Sequence, residues 1–343
     1  MTLSRGSVLT RLAVALLSLA VIDAFIPAWL AHAERARYEG SRVFRFTYSD
    51  IFAFGPFVEY LRDHPVGTRP RVVFLGTSVV WGYRLREDDS IPNRFAARAP
   101  SAQVLNFAAA LTGLGTDGGY LVVKDIIDAV DVVYVYVAGV GAHPRLGRLI
   151  PVEKSDVEEF ALEAPDPLER RLQEALSFWK LYRYSYRVQA ALFGTSTRNF
   201  VYSHKTTPFR SGAAPPQDVA REPDDVARGV VPFEYQPVSA TTWEACRGLE
   251  AADPWLWRYA QLVRTRAKRA VFYKLGLPGE RSSGADWNAM NGCFRGSVAF
   301  ITARAPRDRM IDHVHLSPSG SRAVAEMLHT ATVAAFGATR AVH

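Results

Sequence analysis

The sequence predicts an α/β protein: a three-layer α/β/α sandwich around a mostly parallel sheet, preceded by one transmembrane helix. Three observations carry that prediction. Short continuous apolar runs at Arg71–Leu75, Gln103–Phe107 and Asp131–Val137 have the pattern of strands buried on both faces. Segments of helical character separate them, the alternation that builds parallel sheets. The first 33 residues are apolar over a length that suits a membrane.

From the N-terminus, Arg5 and Arg11 precede or interrupt the start of the apolar run, which extends through Leu12–Ile22 and resumes at Ala24–Ala33 after Asp23. Val8–Ala31 exceeds the about 20 residues a spanning helix needs, with Asp23 as a cost placed toward its far end. Ala31-His32-Ala33 satisfies the small-x-small rule for signal cleavage, so residues 1–33 read as a signal anchor or, alternatively, as a signal peptide removed on secretion. The basic residues before the run place the bulk of the chain across the membrane, in the periplasm or extracytoplasmic space. Residues 34–70 form a connecting segment, in which Ser49-Asp50 introduces a helix over Ile51–Asp63.

Residues 71–343 form the main domain. Arg71–Leu75, ending at Gly76, is its first sheet strand. A helix near Ile91 leads to the second strand, Gln103–Phe107, and to a glycine-rich turn, Thr112–Gly119. A helix over Tyr120–Ile127 precedes the third strand, which ends in Ala138-Gly139-Val140-Gly141-Ala142-His143. The alternation then stops for an insertion at about 144–241, which contains a predicted helix, Pro167–Leu192. Its stripe of Phe178, Trp179, Tyr182 and Tyr186 reads first as a packed helix face and second as a sugar platform. Regular structure resumes with a helix from Trp243 or Asp253 to Lys268, a strand Ala270–Leu275, a helix around Asp286–Ala303 and a terminal helix Pro318–Phe336.

Composition narrows the function. Hydrophobic residues make up 48% and charged residues 22%, so the chain can bury a sizeable core. The net charge of +7 is carried by arginine, with only six lysines among 41 basic residues, scattered without the clustering that nucleic-acid binding requires. Mild attraction to anionic lipid or polysaccharide is the simpler use of that charge. Cys246 and Cys293 would pair in an exported protein and remain thiols in a cytosolic one. Their spacing has no zinc pattern. No metal and no cofactor is expected.

Ligands of parallel α/β sheets bind beyond the carboxyl ends of the strands. Ser78, just after Gly76-Thr77, sits where a buried strand turns toward a helix. A serine hydroxyl needs a base to become a nucleophile. Met310-Ile311-Asp312-His313-Val314-His315 offers one: His315 takes the proton and Asp312, three residues earlier, orients the ring. Ser317 caps the last helix with Pro318 at its first position, which pins His315 before a helix start. Ser78 as a helix cap, and Asp312 and His315 as loop hydrogen bonders, are the competing structural readings. Asp312, His313 and His315 also suit a metal, but coordination would remove the base from Ser78.

These residues resemble the SGNH, or GDSL-like, hydrolase superfamily, which has a flavodoxin-like fold. The resemblance rests on Gly76-Thr77-Ser78, on Asn106 with the turn around Gly113, and on Asp312-His313-Val314-His315. It covers roughly Arg71–His143 and Ala270–Phe336. It implies Ser78 as nucleophile, His315 as base, Asp312 as its orienter, and the amides of Ser78 and Gly113 as oxyanion donors. It also implies ester chemistry on an acylated carbohydrate, by hydrolysis or transfer, within reach of partner proteins of a polysaccharide-modification complex. The string Gly113–Asp117 looks like variants found beside exopolysaccharide genes.

Two positions depart from the family. Thr77 replaces its usual aspartate. The third block reads Gly139-Val140-Gly141-Ala142 where an oxyanion asparagine is expected, and loss of one such donor costs on the order of 100- to 1,000-fold in turnover. The Gly141 amide and His143 are candidate replacements. A noncatalytic domain of the same fold stands as the alternative.

Overall fold

The computed structural model describes residues 5–40, 43–45, 58, 61–65, 67–82, 85–108, 120, 123–137, 154–155, 158, 162–164, 166–193, 231–235, 243–277, 286–305, 307–312 and 314–337. Within them a seven-stranded sheet comprises β1 (Val43–Arg45), β2 (Arg71–Gly76), β3 (Gln103–Ala108), β4 (Val132–Tyr136), β5 (Phe233–Glu234), β6 (Arg269–Lys274) and β7 (Val298–Ala303). Its spatial order is β1-β3-β2-β4-β6-β7-β5. Six strands are mutually parallel, and only the two-residue β5 runs antiparallel, along the edge of β7. The chain crosses one way from β2 to β3 and the other way from β4 to β6. The crossing reverses between β2 and β4, the switch point where open α/β sheets hold ligands.

The described helices are α1 (Arg5–Gly40), α2 (Ser78–Trp81), α3 (Ile91–Ala96), α4 (Pro167–Leu176), α5 (Lys180–Arg183), α6 (Ser185–Phe193), α7 (Trp243–Glu250), α8 (Pro254–Thr265), α9 (Trp287–Cys293) and α10 (Pro318–Phe336). Alternate strand residues serve opposite cores. Val73, Leu75, Val133 and Phe272 pack with Leu256 and Tyr259 of α8 and Met290 of α9. Phe74, Tyr134 and Tyr273 pack with Phe95 of α3 and Val324 and Leu328 of α10. Because both faces are covered, the strands are apolar throughout rather than alternating.

Polar groups at the sheet's margins are satisfied locally. The buried Arg71 guanidinium donates to Gln103 Oε1 at 2.8 Å and to the Ala129 and His64 carbonyls at 3.1 and 2.6 Å. Buried charge is tolerated only with such partners. On β7, Asn291 of α9 donates to the Phe300 carbonyl at 2.9 Å and accepts the Phe300 N–H at 2.7 Å, imitating a neighbouring strand.

Several sequence expectations are met closely. α10 runs over Pro318–Phe336, and the strands at β2, β3, β4 and β6 lie within a residue of the apolar runs. Others need correction. Arg71–Gly76 is the second strand of the sheet, because β1 lies inside the connecting segment and pairs with β3. The helix expected around Asp286–Ala303 ends at Cys293, and Val298–Ala303 is β7. There the β-branched and aromatic run is almost wholly buried, and Gly296 turns the chain at φ 82°. The helix expected up to Lys268 is two, α7 and α8, divided at Asp253, whose carboxylate caps α8 by accepting from the Leu256 N–H at 3.0 Å. Pro167–Leu192 likewise divides into α4, α5 and α6. Ser177 bonds back to the Glu174 carbonyl at 2.6 Å, and Trp179 takes an extended conformation. Phe178, Trp179 and Tyr182 are exposed, so they do not form the expected packed face. The side chain of Tyr186, most of the expected helix Ile51–Asp63 and most of the insertion lie outside the described residues.

Val8–Ala33 of α1 is long and apolar enough to cross a membrane by length and composition, with a mean hydropathy of 2.1. Residues 8–22 are exposed throughout. Beyond them Ile26 and Leu30 are buried, where α1 packs against α5 and α6.

Cys246 and Cys293 form a disulfide that joins α7 to α9. It closes a loop of 47 residues, which on loop entropy stabilises the fold by about 4 kcal/mol. Replacing both cysteines by serine is expected to lower unfolding stability by about 2–4 kcal/mol, measured by denaturant titration of the full chain in detergent. An unchanged midpoint would assign the bridge no constraining role.

Candidate active site

β2 delivers Ser78 to the switch point. Gly76, its last residue, is hemmed in: a Cβ there would lie 2.7 Å from Val80 Cγ2 and 2.9 Å from Tyr136 Cβ. The chain can therefore fold α2 directly back over the strand end only with glycine at this position. Thr77 then caps α2, its hydroxyl accepting from the Val79 N–H at 3.3 Å and its carbonyl from Val80 and Trp81 at 3.1 and 3.0 Å. The capping role expected as an alternative for Ser78 thus belongs to Thr77. Ser78 is the first residue of the helix, and no described residue accepts its N–H.

Asn106, buried in β3, steadies this turn. Its side-chain amide donates to the Trp81 carbonyl at 3.4 Å and its oxygen accepts the Ala108 N–H at 3.3 Å. It supports the end of α2 rather than facing the Ser78 hydroxyl.

The second half of the site comes from the other end of the chain. Asp312 opens a tight loop in which its Oδ1 accepts the N–H groups of Val314 and His315 at 2.8 and 2.7 Å. The Ile311 N–H donates to the His315 carbonyl at 2.8 Å, and Met310 bridges Leu316. The loop is then nailed to α10. Ser317 caps the helix by accepting the Gly320 N–H at 3.1 Å, with Pro318 following it, as the sequence predicts. Gly320 sits on the Arg309 carbonyl, where a Cβ would approach to 2.2 Å.

These two halves bring Ser78, His315 and Asp312 together. His315 Nε2 lies 3.1 Å from Ser78 Oγ, and His315 Nδ1 lies 2.9 Å from Asp312 Oδ2. With Nδ1 protonated toward the carboxylate, Nε2 faces the hydroxyl as an acceptor, the tautomer a general base requires. Burial raises the Asp312 pKa, but the backbone N–H of His315, its ring, the N–H of Val314 and the imidazole charge outweigh it and hold the carboxyl at about 2. A carboxylate so held stays charged through any neutral or mildly acidic medium.

Gly113, Gly141, His143 and His313 lie outside the described residues. Thr77 was legible as a departure from the family pattern but not as a cap. Aspartate and threonine are both favoured N-caps, so the substitution keeps the local geometry.

Two measurements test this construction. Thr77→Ala is expected to lower stability by about 1 kcal/mol and Thr77→Asp to restore it, read from denaturant midpoints. For Asp312 the depressed carboxyl adds stability above its ordinary value of 3.8, and that contribution is lost as pH falls toward about 2. The loss of stability across that window is expected to be shallower in Asp312→Asn, measured by unfolding at stepped pH; equal slopes would mean that the carboxylate gains nothing on folding.

Comparison with protein-family models and with curated proteins returned no match.

Proposed function

We propose that this chain is a membrane-anchored SGNH-type enzyme that performs serine-dependent ester chemistry on O-acyl, chiefly O-acetyl, groups of an envelope or secreted polysaccharide. One observation carries the reading: the continuous Ser78–His315–Asp312 hydrogen-bond chain at the carboxyl end of β2. Ser78 and His315 are 237 residues apart in sequence, so local loop chemistry does not account for their meeting. The covered faces of the sheet support the α/β/α sandwich expected of that superfamily.

In this mechanism Ser78 Oγ attacks the acyl carbonyl as its proton passes to His315 Nε2, while Asp312 stabilises the imidazolium. The Ser78 N–H, with Gly113 from the second loop, receives the oxyanion. Collapse breaks the bond to the sugar oxygen, which takes the proton from Nε2 and leaves an acyl-enzyme on Ser78. Water or a second sugar hydroxyl then attacks, giving its proton to Nε2, and the Ser78 oxygen recovers that proton as it is expelled. Water makes the enzyme an esterase; a sugar hydroxyl makes it an O-acyltransferase. No metal or cofactor enters these steps.

The location follows from separate features. Arg5 and Arg11 favour a cytoplasmic N-terminus, with the domain on the periplasmic or extracytoplasmic side. The Cys246–Cys293 bridge suits an oxidising compartment. The packing of Ile26 and Leu30 against the domain favours a retained anchor over a cleaved signal, since cleavage after Ala33 would strip these buried side chains away.

The test is labelling of the full chain in detergent with a fluorophosphonate, beside a short-chain acetyl-ester assay. Labelling is expected in the wild type and absent in Ser78→Ala, and Asp312→Asn is expected to lose turnover on the order of 10⁴-fold. Folded wild-type protein without labelling or turnover would transfer the reading to a noncatalytic scaffold within a polysaccharide export or modification complex. A sharp preference for long acyl chains would point instead to a lipid substrate.

A further inference from the structure

α1 is exposed on every face over only part of the length a bilayer requires; beyond residue 22 one stripe of it is covered. Residues 8–22 are uncovered on every face, and at 1.5 Å per residue they span about 22 Å, against about 30 Å of bilayer hydrocarbon. About five further residues must lie in lipid. The next stretch of α1 is where the domain begins to pack: Asp23, Ile26 and Leu30 fall on one helical stripe, and the latter two are buried against α5 and α6. The Asp23 carboxylate accepts the Leu181 N–H at 2.7 Å, which answers the cost of an acid within the span. α5 is therefore fixed at the depth of Asp23.

Around that fixed point the chain is apolar where a soluble surface would be polar. Leu168, Leu172 and Leu176 recur at every fourth position of α4 and are exposed, and Arg170, Arg171 and Glu174 occupy the other faces. Phe178, in the turn between α4 and α5, is 80% exposed, and Trp179 and Tyr182 follow it. A helix of this kind, with leucines on one face, arginines on another and aromatics at its end, lies in the plane of a membrane interface. Arg170, Arg171, Lys180 and Arg183, against three acidic residues between Asp166 and Phe193, add attraction to anionic headgroups; Arg187 is buried and paired with Asp63.

We propose that α4–α6 form a second membrane-contacting element, which lies at the boundary between headgroups and acyl chains beside α1 and seats the domain on the bilayer surface. The occupant of the exposed stripe is lipid, because the stripe leads directly into α5, which packs on α1 at a level where α1 itself must still lie in lipid. This inference rests on the reading of α1 as a span. It makes the domain a fixed body on the membrane rather than one hanging from a tether, which would confine its substrates to those within reach of that surface.

Every cysteine of the chain is in the disulfide, so single cysteines can be introduced and labelled with an environment-sensitive fluorophore. The full chain, in nanodiscs of phosphatidylethanolamine and phosphatidylglycerol, is labelled at Leu172→Cys, Phe178→Cys, Leu16→Cys and, for an aqueous reference on α10, Thr330→Cys. Labels at 172 and 178 are expected to be quenched by lipids carrying a spin label near the headgroup, with iodide quenching roughly threefold or more below that at 330. The label at 16 is expected to respond to a spin label deep in the acyl chains. Iodide access at 172 and 178 equal to that at 330, with 16 still quenched by the deep probe, would overturn the proposal and leave the span intact. Protection at 172 and 178 without lipid quenching would overturn it in favour of a protein-covered face. Loss of deep quenching at 16 would remove the span and the proposal together.

Discussion

The seating of α10 on the sheet is the constraint on which the site depends. His315 reaches Ser78 only if the loop ahead of α10 is held over the end of β2. Tyr134, at the centre of the sheet, shares a buried hydrogen bond of 2.7 Å with Thr332 of α10, and the Thr332 hydroxyl donates to the Leu328 carbonyl at 2.6 Å. Burial drives the Tyr134 pKa up despite that bond, so the hydroxyl stays neutral and keeps its partner. Around it Phe74 stacks on Tyr134 at 4.5 Å, and Phe95 meets both rings edge-on. A directional bond within an aromatic cluster fixes the rotation of α10 as well as its distance, which close packing of aliphatic groups would define less sharply.

From that seat, the two glycines transmit position to chemistry. Gly320 lets the first turn of α10 rest on the Arg309 carbonyl, and Gly76 lets α2 close over β2. Neither contributes a reactive atom. Each shortens a distance that a methyl group would lengthen, and so helps bring His315 within hydrogen-bond reach of Ser78. Asn106 and Thr77 act in the same supporting way, through the carbonyl and amide ends of α2. The Ser78 amide, the first of α2, has no acceptor among the described residues, as is common for N–H groups at a helix start.

The sequence made this half of the protein legible because its signals are local. A continuous apolar run ending in glycine marks a buried strand, and Ser317-Pro318 marks a helix start, without reference to anything distant. That Ser78 meets His315 was inferred from matching contexts rather than from contact, and it is the fold that brings them to 3.1 Å. The failures have the opposite character. Val298–Ala303 follows a helix closely and carries apolar residues at both spacings, so only its burial between β6 and β5 identifies it as a strand. β1 is three residues long, too short for any periodicity to register. The pairing of Cys246 and Cys293 needed the relative placement of two helices, which no spacing in the sequence encodes. Most instructive is Pro167–Leu192, whose apolar and aromatic stripe has helical spacing but faces outward. Periodicity identifies an apolar face; it does not say whether protein or lipid covers it.

That ambiguity bears on how the two ends of the molecule work together. A free domain would gain nothing from a leucine stripe left uncovered, and exposed patches of that kind invite association. Packing of α5 and α6 on α1 ties the middle of the chain to its N-terminal helix. Asp23 then serves two ends at once: its carboxylate finds a donor in the Leu181 N–H, and the first turn of α5 finds an acceptor for an N–H that a short helix leaves bare. Removing either partner leaves the other half-buried without this bond, so α1 and α5 satisfy each other's polar groups.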